Sequence, residues 1–140
     1  NTTSNTTTKT ITVASKKCGF RITNPAMYTK VAFPLTVTGV IDMTDAQNAG
    51  CTWKSVESMA GTAELYYNLH DTGWKSVGTS VSIKVSNSLA STSTLTFSVP
   101  LNIYAASYGL TSGTPLKVRF IENQTLNKNP NIFDFYLYLK

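Results

Sequence analysis

The sequence predicts an all-β protein, an antiparallel β-sandwich of seven to eight strands behind an N-terminal extension. Apolar residues recur at every second position in one segment after another, the pattern of strands with one face in a core and one in water. Clusters of Asn, Pro, Asp and Gly separate those segments as turns. Nothing longer than a turn carries the period of a helix, and the number and spacing of the segments suit a sandwich.

The first eight residues are a polar run of Asn, Thr and Ser with no apolar member. Such composition buries too little surface to offset chain entropy, so disorder or glycosylation is expected there. Residues 8–15 alternate through Ile11 and Val13. They are a candidate donor strand within a flexible arm of residues 1–17, and residues 18–140 are the sandwich. In the sandwich Cys18, Phe20 and Ile22 alternate up to the turn signal Asn24-Pro25. The clearest strand follows, with Phe33, Leu35, Val37, Gly39, Ile41 and Met43 on one face and Pro34, Thr36, Thr38, Asp42 and Thr44 on the other. Asp45 to Gly61 breaks the alternation and reads as a long loop, with a helical turn over residues 54–59.

Alternation resumes with Ala63, Leu65, Tyr67 and Leu69, stopped by His70-Asp71-Thr72-Gly73, and continues with Val81, Ile83 and Val85. Leu95, Phe97, Val99, Leu101 and Ile103 then oppose Thr94, Thr96, Ser98, Pro100 and Asn102. Leu116, Val118 and Phe120 alternate with Lys117 and Arg119. The last strand sets Phe133, Phe135, Leu137 and Leu139 against Asp134, Tyr136, Tyr138 and Lys140.

Charged residues are only 14% of the chain, against about a quarter in ordinary soluble domains. Thr and Ser take the polar share, as suits an extracellular β-module. The net charge of +5 is scattered, with Lys16-Lys17 the one adjacent basic pair, which argues against a nucleic-acid footprint. No stretch approaches the ~20 apolar residues of a membrane-spanning helix. The sequence shows no signal-peptide pattern and opens on Asn, which reads as a mature secreted product, although a chain trimmed at its N-terminus would look the same.

Two cysteines, Cys18 and Cys51, in a low-charge and apparently exported chain favour one disulfide. Closing that loop stabilises by roughly 3–4 kcal/mol in the chain-entropy picture. Two unpaired buried thiols are the alternative. Three glycan-acceptor sequons stand at Asn1, Asn5 and Asn123, the first two inside the polar terminal run.

Chemistry is sparse. The single histidine, His70, precedes a turn and has no nucleophile motif beside it, which reads as a solvated loop residue rather than a general base. The seven acids are scattered and read as surface residues. Asp42 and Asp45, with Gln47 and Asn48, are too loose a set for a calcium loop. No P-loop or dinucleotide fingerprint is present, and no cofactor or catalytic metal is expected. The aromatics remain as candidates. Trp53 and Trp74 lie in or beside loops, and Tyr66, Tyr104, Tyr108, Tyr136 and Tyr138 fall in loops or at outward strand positions. Exposed rings stack on sugars and anchor protein interfaces. Trp53, Trp74, Tyr104 and Tyr108 are the expected ligand contacts, and covering of a second packed surface is the competing role.

Several segments together resemble the immunoglobulin-like domain of bacterial spore-germination and related exported proteins. They are Arg21-Ile22-Thr23-Asn24-Pro25, Phe33-Pro34-Leu35-Thr36-Val37-Thr38-Gly39, Leu65 through Gly73, Thr94 to Pro100, Leu116 to Phe120 and the final Phe-rich strand. The cysteine pair, the Asp45–Gly61 insertion and the Thr-rich N-terminus depart from that pattern. The resemblance implies an immunoglobulin-like sandwich outside the cytoplasm with a binding or structural role, and carries over no functional residue.

The expected function is therefore not catalytic. The leading expectation is a structural subunit of a cell-surface filament or appendage. Its N-terminal strand, with Ile11 and Val13 as the inserting side chains, would add to the sheet of another copy or of another surface protein. The alternative is a secreted adhesion module that binds carbohydrate or protein.

Overall fold

A computed structural model describes residues 16–48, 59–85, 94–123 and 129–140. Nine strands occur among them: β1 (Lys16–Lys17), β2 (Phe20–Asn24), β3 (Lys30–Val31), β4 (Leu35–Asp42), β5 (Met59–Tyr67), β6 (Lys75–Val85), β7 (Thr94–Leu101), β8 (Pro115–Glu122) and β9 (Ile132–Leu139). The all-β class read from the sequence is what the chain adopts. The nine strands are hydrogen-bonded into one sheet in the order β1-β2-β4-β7-β6-β5-β8-β9-β3. The connection through the middle is thin, because β6 pairs with β5 along most of its length and touches β7 only at Lys84↔Ser98 and Val85↔Phe97. There the sheet curls over, so that β2, β4 and β7 face β5, β8 and β9 across a single core.

The period-two pattern dictates that core. Val37, Gly39 and Ile41 of β4, Leu95, Phe97, Val99 and Leu101 of β7, and Phe133, Phe135, Leu137 and Leu139 of β9 are all buried, and their alternate neighbours are not. Phe20 of β2 binds the two halves together. Its ring lies 4.7 Å from Phe97, 5.0 Å from Phe120 of β8 and 5.4 Å from Phe133. Each fully buried ring or aliphatic side chain contributes about 1.5–3 kcal/mol of transfer free energy. A side chain at position 39 would run into the carbonyl oxygen of Arg21 and the ring of Phe97, so Gly39 is what lets that ring lie flat on β4.

Several boundaries differ from the sequence reading. Lys16–Lys17, assigned above to the flexible arm, form β1 and pair antiparallel with β2 of the same chain. β3, not anticipated, joins β9 in parallel, so the sheet is mixed rather than purely antiparallel. The alternation that runs on through Met43 stops being a strand at Asp42, where a short helix, α1 (Met43–Asn48), begins. Its cap is Asp42, whose Oδ1 accepts a hydrogen bond from the Asp45 backbone N–H at 3.0 Å. An N-capping carboxylate stops a strand as effectively as a turn does. Leu69, expected at the end of a strand, lies in a 3-10 turn over Leu69–Asp71. The helical turn expected over residues 54–59 lies outside the described residues except at Met59, which opens β5.

Candidate aromatic ligand-binding face

The register of β5, β8 and β9 fixes what their outward surface carries. In one cross-strand row Glu64, Arg119 and Asp134 stand side by side; in the next stand Tyr66, Lys117 and Tyr136. Pro115 and Tyr138 follow, and β3 sets Lys30 beside Tyr138. Cross-strand neighbours on one face are about 4.5–5.5 Å apart at Cβ, close enough for long side chains to interact.

Two connecting segments complete the surface. The turn after β5 is clamped where Asn68 Oδ1 accepts the Gly73 N–H at 3.0 Å and the Thr72 hydroxyl donates to the Leu69 carbonyl at 2.7 Å. This holds Trp74 over β8 and β9, with its ring 5.9 Å from Tyr136. The segment before β3 runs beside β9, with the Tyr28 N–H donating to the Tyr136 carbonyl at 2.7 Å and the Tyr138 N–H to the Thr29 carbonyl at 2.9 Å. Tyr28 itself has φ +65°, a left-handed conformation that a bulky residue adopts only where its surroundings hold it. That conformation lays its ring on Tyr136 at 6.1 Å and 11° between planes, and 6.4 Å from Tyr138.

Tyr28, Trp74, Tyr136 and Tyr138 thus surround a hollow of about 270 Å³, with Asn68, Pro115, Leu116 and Leu137 completing it. A second hollow, about 400 Å³, continues from the first across Asn68 and Pro115 and is lined further by His70, Asp71 and Thr111 to Thr114. Tyr28 and Trp74 are 49% and 37% exposed. Large apolar rings held at a rigid sheet surface and left open to water mark contact sites more often than idle surface.

Polar chemistry lines one side. Arg119 binds Asp134 through two bonds, Nε to Oδ1 at 2.8 Å and Nη2 to Oδ2 at 3.0 Å, which raises the guanidinium pKa further. The Tyr66 hydroxyl donates to Glu64 Oε1 at 2.7 Å, and that bond, aided by burial, raises its pKa above the ordinary value. Burial likewise raises the pKa of Tyr136. Lys117 is only 7% exposed. Its Nζ lies 4.9 Å from the ring centres of both Tyr66 and Trp74, and burial lowers its pKa.

Of the residues singled out in the sequence, Trp74 joins this surface. Tyr104 does not: it is 74% exposed at the start of a 3-10 turn (Ala105–Tyr108) away from the cradle. Tyr108 has a structural role, since its hydroxyl donates to the Val77 carbonyl at 3.3 Å and its ring packs on Tyr67 at 5.7 Å. Trp53, Cys51, Ile11, Val13, Asn1 and Asn5 lie outside the described residues. Asn123 is 7% exposed, with its N–H bonded to the Ala60 carbonyl. Cys18 is half-buried, its sulfur 3.8 Å from Asn131 Oδ1, and no cysteine among the described residues is free. His70 is exposed at φ +54° in its turn.

Tyr28 and Lys117 were not anticipated. Alternation alone puts Lys117 outward, but only the register reveals it between two aromatic rings. Among the described residues no group of three or more His, Cys, Asp or Glu is arranged to hold a metal, and no helix is long and apolar enough to cross a membrane. Compared with known protein families, curated proteins and solved structures, the chain matches none.

Proposed function

We propose that this chain is a non-catalytic binding module of the cell exterior that holds a carbohydrate on the outward face of β5, β8 and β9. The observation that supports it is the open ring set of Tyr28, Trp74, Tyr136 and Tyr138 around one hollow. A flat aromatic face suits the apolar C–H face of a pyranose, while the Asn68 amide and the tyrosine hydroxyls suit its hydroxyl rim. Preorganisation favours the same reading: the sheet register, the clamped turn before Trp74 and the strap carrying Tyr28 hold the rings in place before a ligand arrives. The low charge content and the Thr/Ser-rich surface fit an exported protein. A Cys18–Cys51 bridge and the immunoglobulin-like resemblance belong to the same proposal. A glycan array read with the wild type and with Trp74→Ala and Tyr136→Ala tests it. Defined hits that both variants lose support the module, and a blank array contradicts it.

A second reading, assembly into a surface filament, has one observation in its favour. β1 is an edge strand of the sheet, and sheet edges are where strand addition takes place. Sedimentation of the chain with and without residues 1–15 checks it. Polymers that vanish on truncation support assembly, and two monomers contradict it.

A further inference from the structure

Resting on the carbohydrate reading, we propose that the ligand is an acidic sugar chain, whose carboxylate or sulfate group is held by Lys117 at the inner side of the cradle and by Lys30 at its rim. Four charged side chains occupy the outward rows of β5, β8 and β9, and three are already engaged: Arg119 with Asp134 in a two-bond pair, and Glu64 with the Tyr66 hydroxyl. Lys117 is the remainder. It makes no hydrogen bond and no ion pair among the described residues, although it is 93% shielded from water, the complement of its 7% exposure. Its ammonium is held by the faces of Tyr66 and Trp74, at 4.9 Å each. Ring faces offset part of the lost hydration; Nζ is not among the buried side-chain atoms without a hydrogen-bond partner, so its N–H donors face water between the rings and not a protein acceptor.

A lysine in that state is costly to the fold and useful to a ligand. Burial disfavours the charge and Asp134 favours it without pairing with it, and an anion arriving beside it gives the ammonium a direct partner in place of water. Trp74 links the two parts of the site, since one ring both holds Lys117 and lines the hollow. Across β9, Lys30 stands exposed beside Tyr138, so the ring set is flanked by a cation on either side. Asp134 is paired with Arg119 and acts on Lys117 through its charge without forming an ion pair with it. The chain's net charge of +5 adds a favourable long-range field for a polyanion. A neutral glycan would satisfy the rings but would leave Lys117 as it is.

Calorimetry with matched ligands separates this inference from the reading beneath it. The probes are short oligogalacturonate and its methyl-esterified form, a sulfated galactan oligosaccharide and its desulfated form, and a neutral mannan oligosaccharide. Binding of an acidic probe should exceed that of its neutralised counterpart by about tenfold or more, the scale of one charge-assisted hydrogen bond. The esterified and desulfated arms identify which anion is used. Lys117→Met, which keeps the stem packed between the rings, and Lys30→Gln, at an exposed position, should each reduce the acidic preference, and Lys117→Arg should retain most of it. Equal binding of charged and neutralised probes, or an unchanged preference in both Lys117→Met and Lys30→Gln, overturns the anion inference while the carbohydrate reading stands. No binding to any of the five probes, joined to a blank array, overturns both.

Discussion

The two halves of the curled sheet share one core but present opposite surfaces. Outside β4 and β7 the alternate positions are Thr36, Thr38, Val40, Thr94, Thr96, Ser98 and Pro100, a short-chain surface that carries little beyond hydration and strand propensity. Outside β5, β8 and β9 the equivalent positions are Glu64, Tyr66, Lys117, Arg119, Asp134, Tyr136 and Tyr138. Both halves obey the same inward alternation and meet the same phenylalanine cluster. The difference teaches that folding requirements set the inner positions alike on both sides, whereas a demand unrelated to folding concentrates rings and charges on one outer side. A largely buried lysine that forms no ion pair among the described residues is hard to explain as a contribution to stability and easy to explain as part of a contact site.

The largest effect should come where the halves cease to differ. Phe120 is fully buried against Phe20, Phe97 and Phe133. Phe120→Ala should cost about 3–5 kcal/mol, read as a lower urea midpoint with both halves unfolding together. Separate transitions for the two halves would contradict a shared core. Next, Gly39→Ala tests the close approach within the quieter half. Its new methyl group meets backbone and the Phe97 ring, so a loss of about 1–3 kcal/mol is expected in the same measurement.

Substitutions on the aromatic face should split binding from stability. Trp74→Ala and Tyr136→Ala should each weaken glycan binding by about tenfold or more while moving the urea midpoint far less than Phe120→Ala does. Lys117→Met should leave stability within about 1 kcal/mol of wild type, because the charge it removes is disfavoured by burial and favoured by the two rings and by the charge of Asp134, which partly cancel.

A smaller effect concerns alkaline pH. The folded pKa values of Tyr66 and Tyr136 are raised above the ordinary tyrosine value of 10.0. A raised folded pKa means that the stabilising contribution is complete below the unfolded value and is lost as the pH climbs through the folded one. Stability should therefore fall above about pH 10, and Tyr66→Phe should make that fall shallower. Lys117, lowered by burial, acts in the opposite direction and blunts it. Smallest of all, Thr36→Ala and Ser98→Ala on the other outer surface should change stability by no more than about 0.5 kcal/mol and leave binding alone.

Alternation made most of the fold legible. Every inward residue of β4, β7 and β9 can be picked out from period two, because a one-residue slip would turn a whole strand inside out. Pairing partners are not encoded in that period, so the sheet order, the parallel β3 and the bend at β6 were invisible. α1 went unseen because Met43 continues the apolar alternation, although Asp42 and Asp45 already spell an N-cap. The candidate site was half legible. Outward tyrosines follow from parity, and Trp74 from its place after a turn. Tyr28 owes its position to a left-handed backbone, and Lys117 owes its neighbours to register; neither is a property of local sequence. Tyr104 and Tyr108 do not line the aromatic hollow, and loop aromatics look alike in sequence until their packing is known.

The most direct test of the asymmetry is an NMR titration of the isotopically labelled chain with the best-bound glycan of the array, following backbone amides and the tryptophan indole signals. Shifts gathered on Tyr28, Tyr66, Trp74, Lys117, Tyr136 and Tyr138, with Thr36, Thr38, Thr96 and Ser98 silent, are the expected result. Shifts centred on the β4 and β7 surface, with the aromatic face silent, would contradict it.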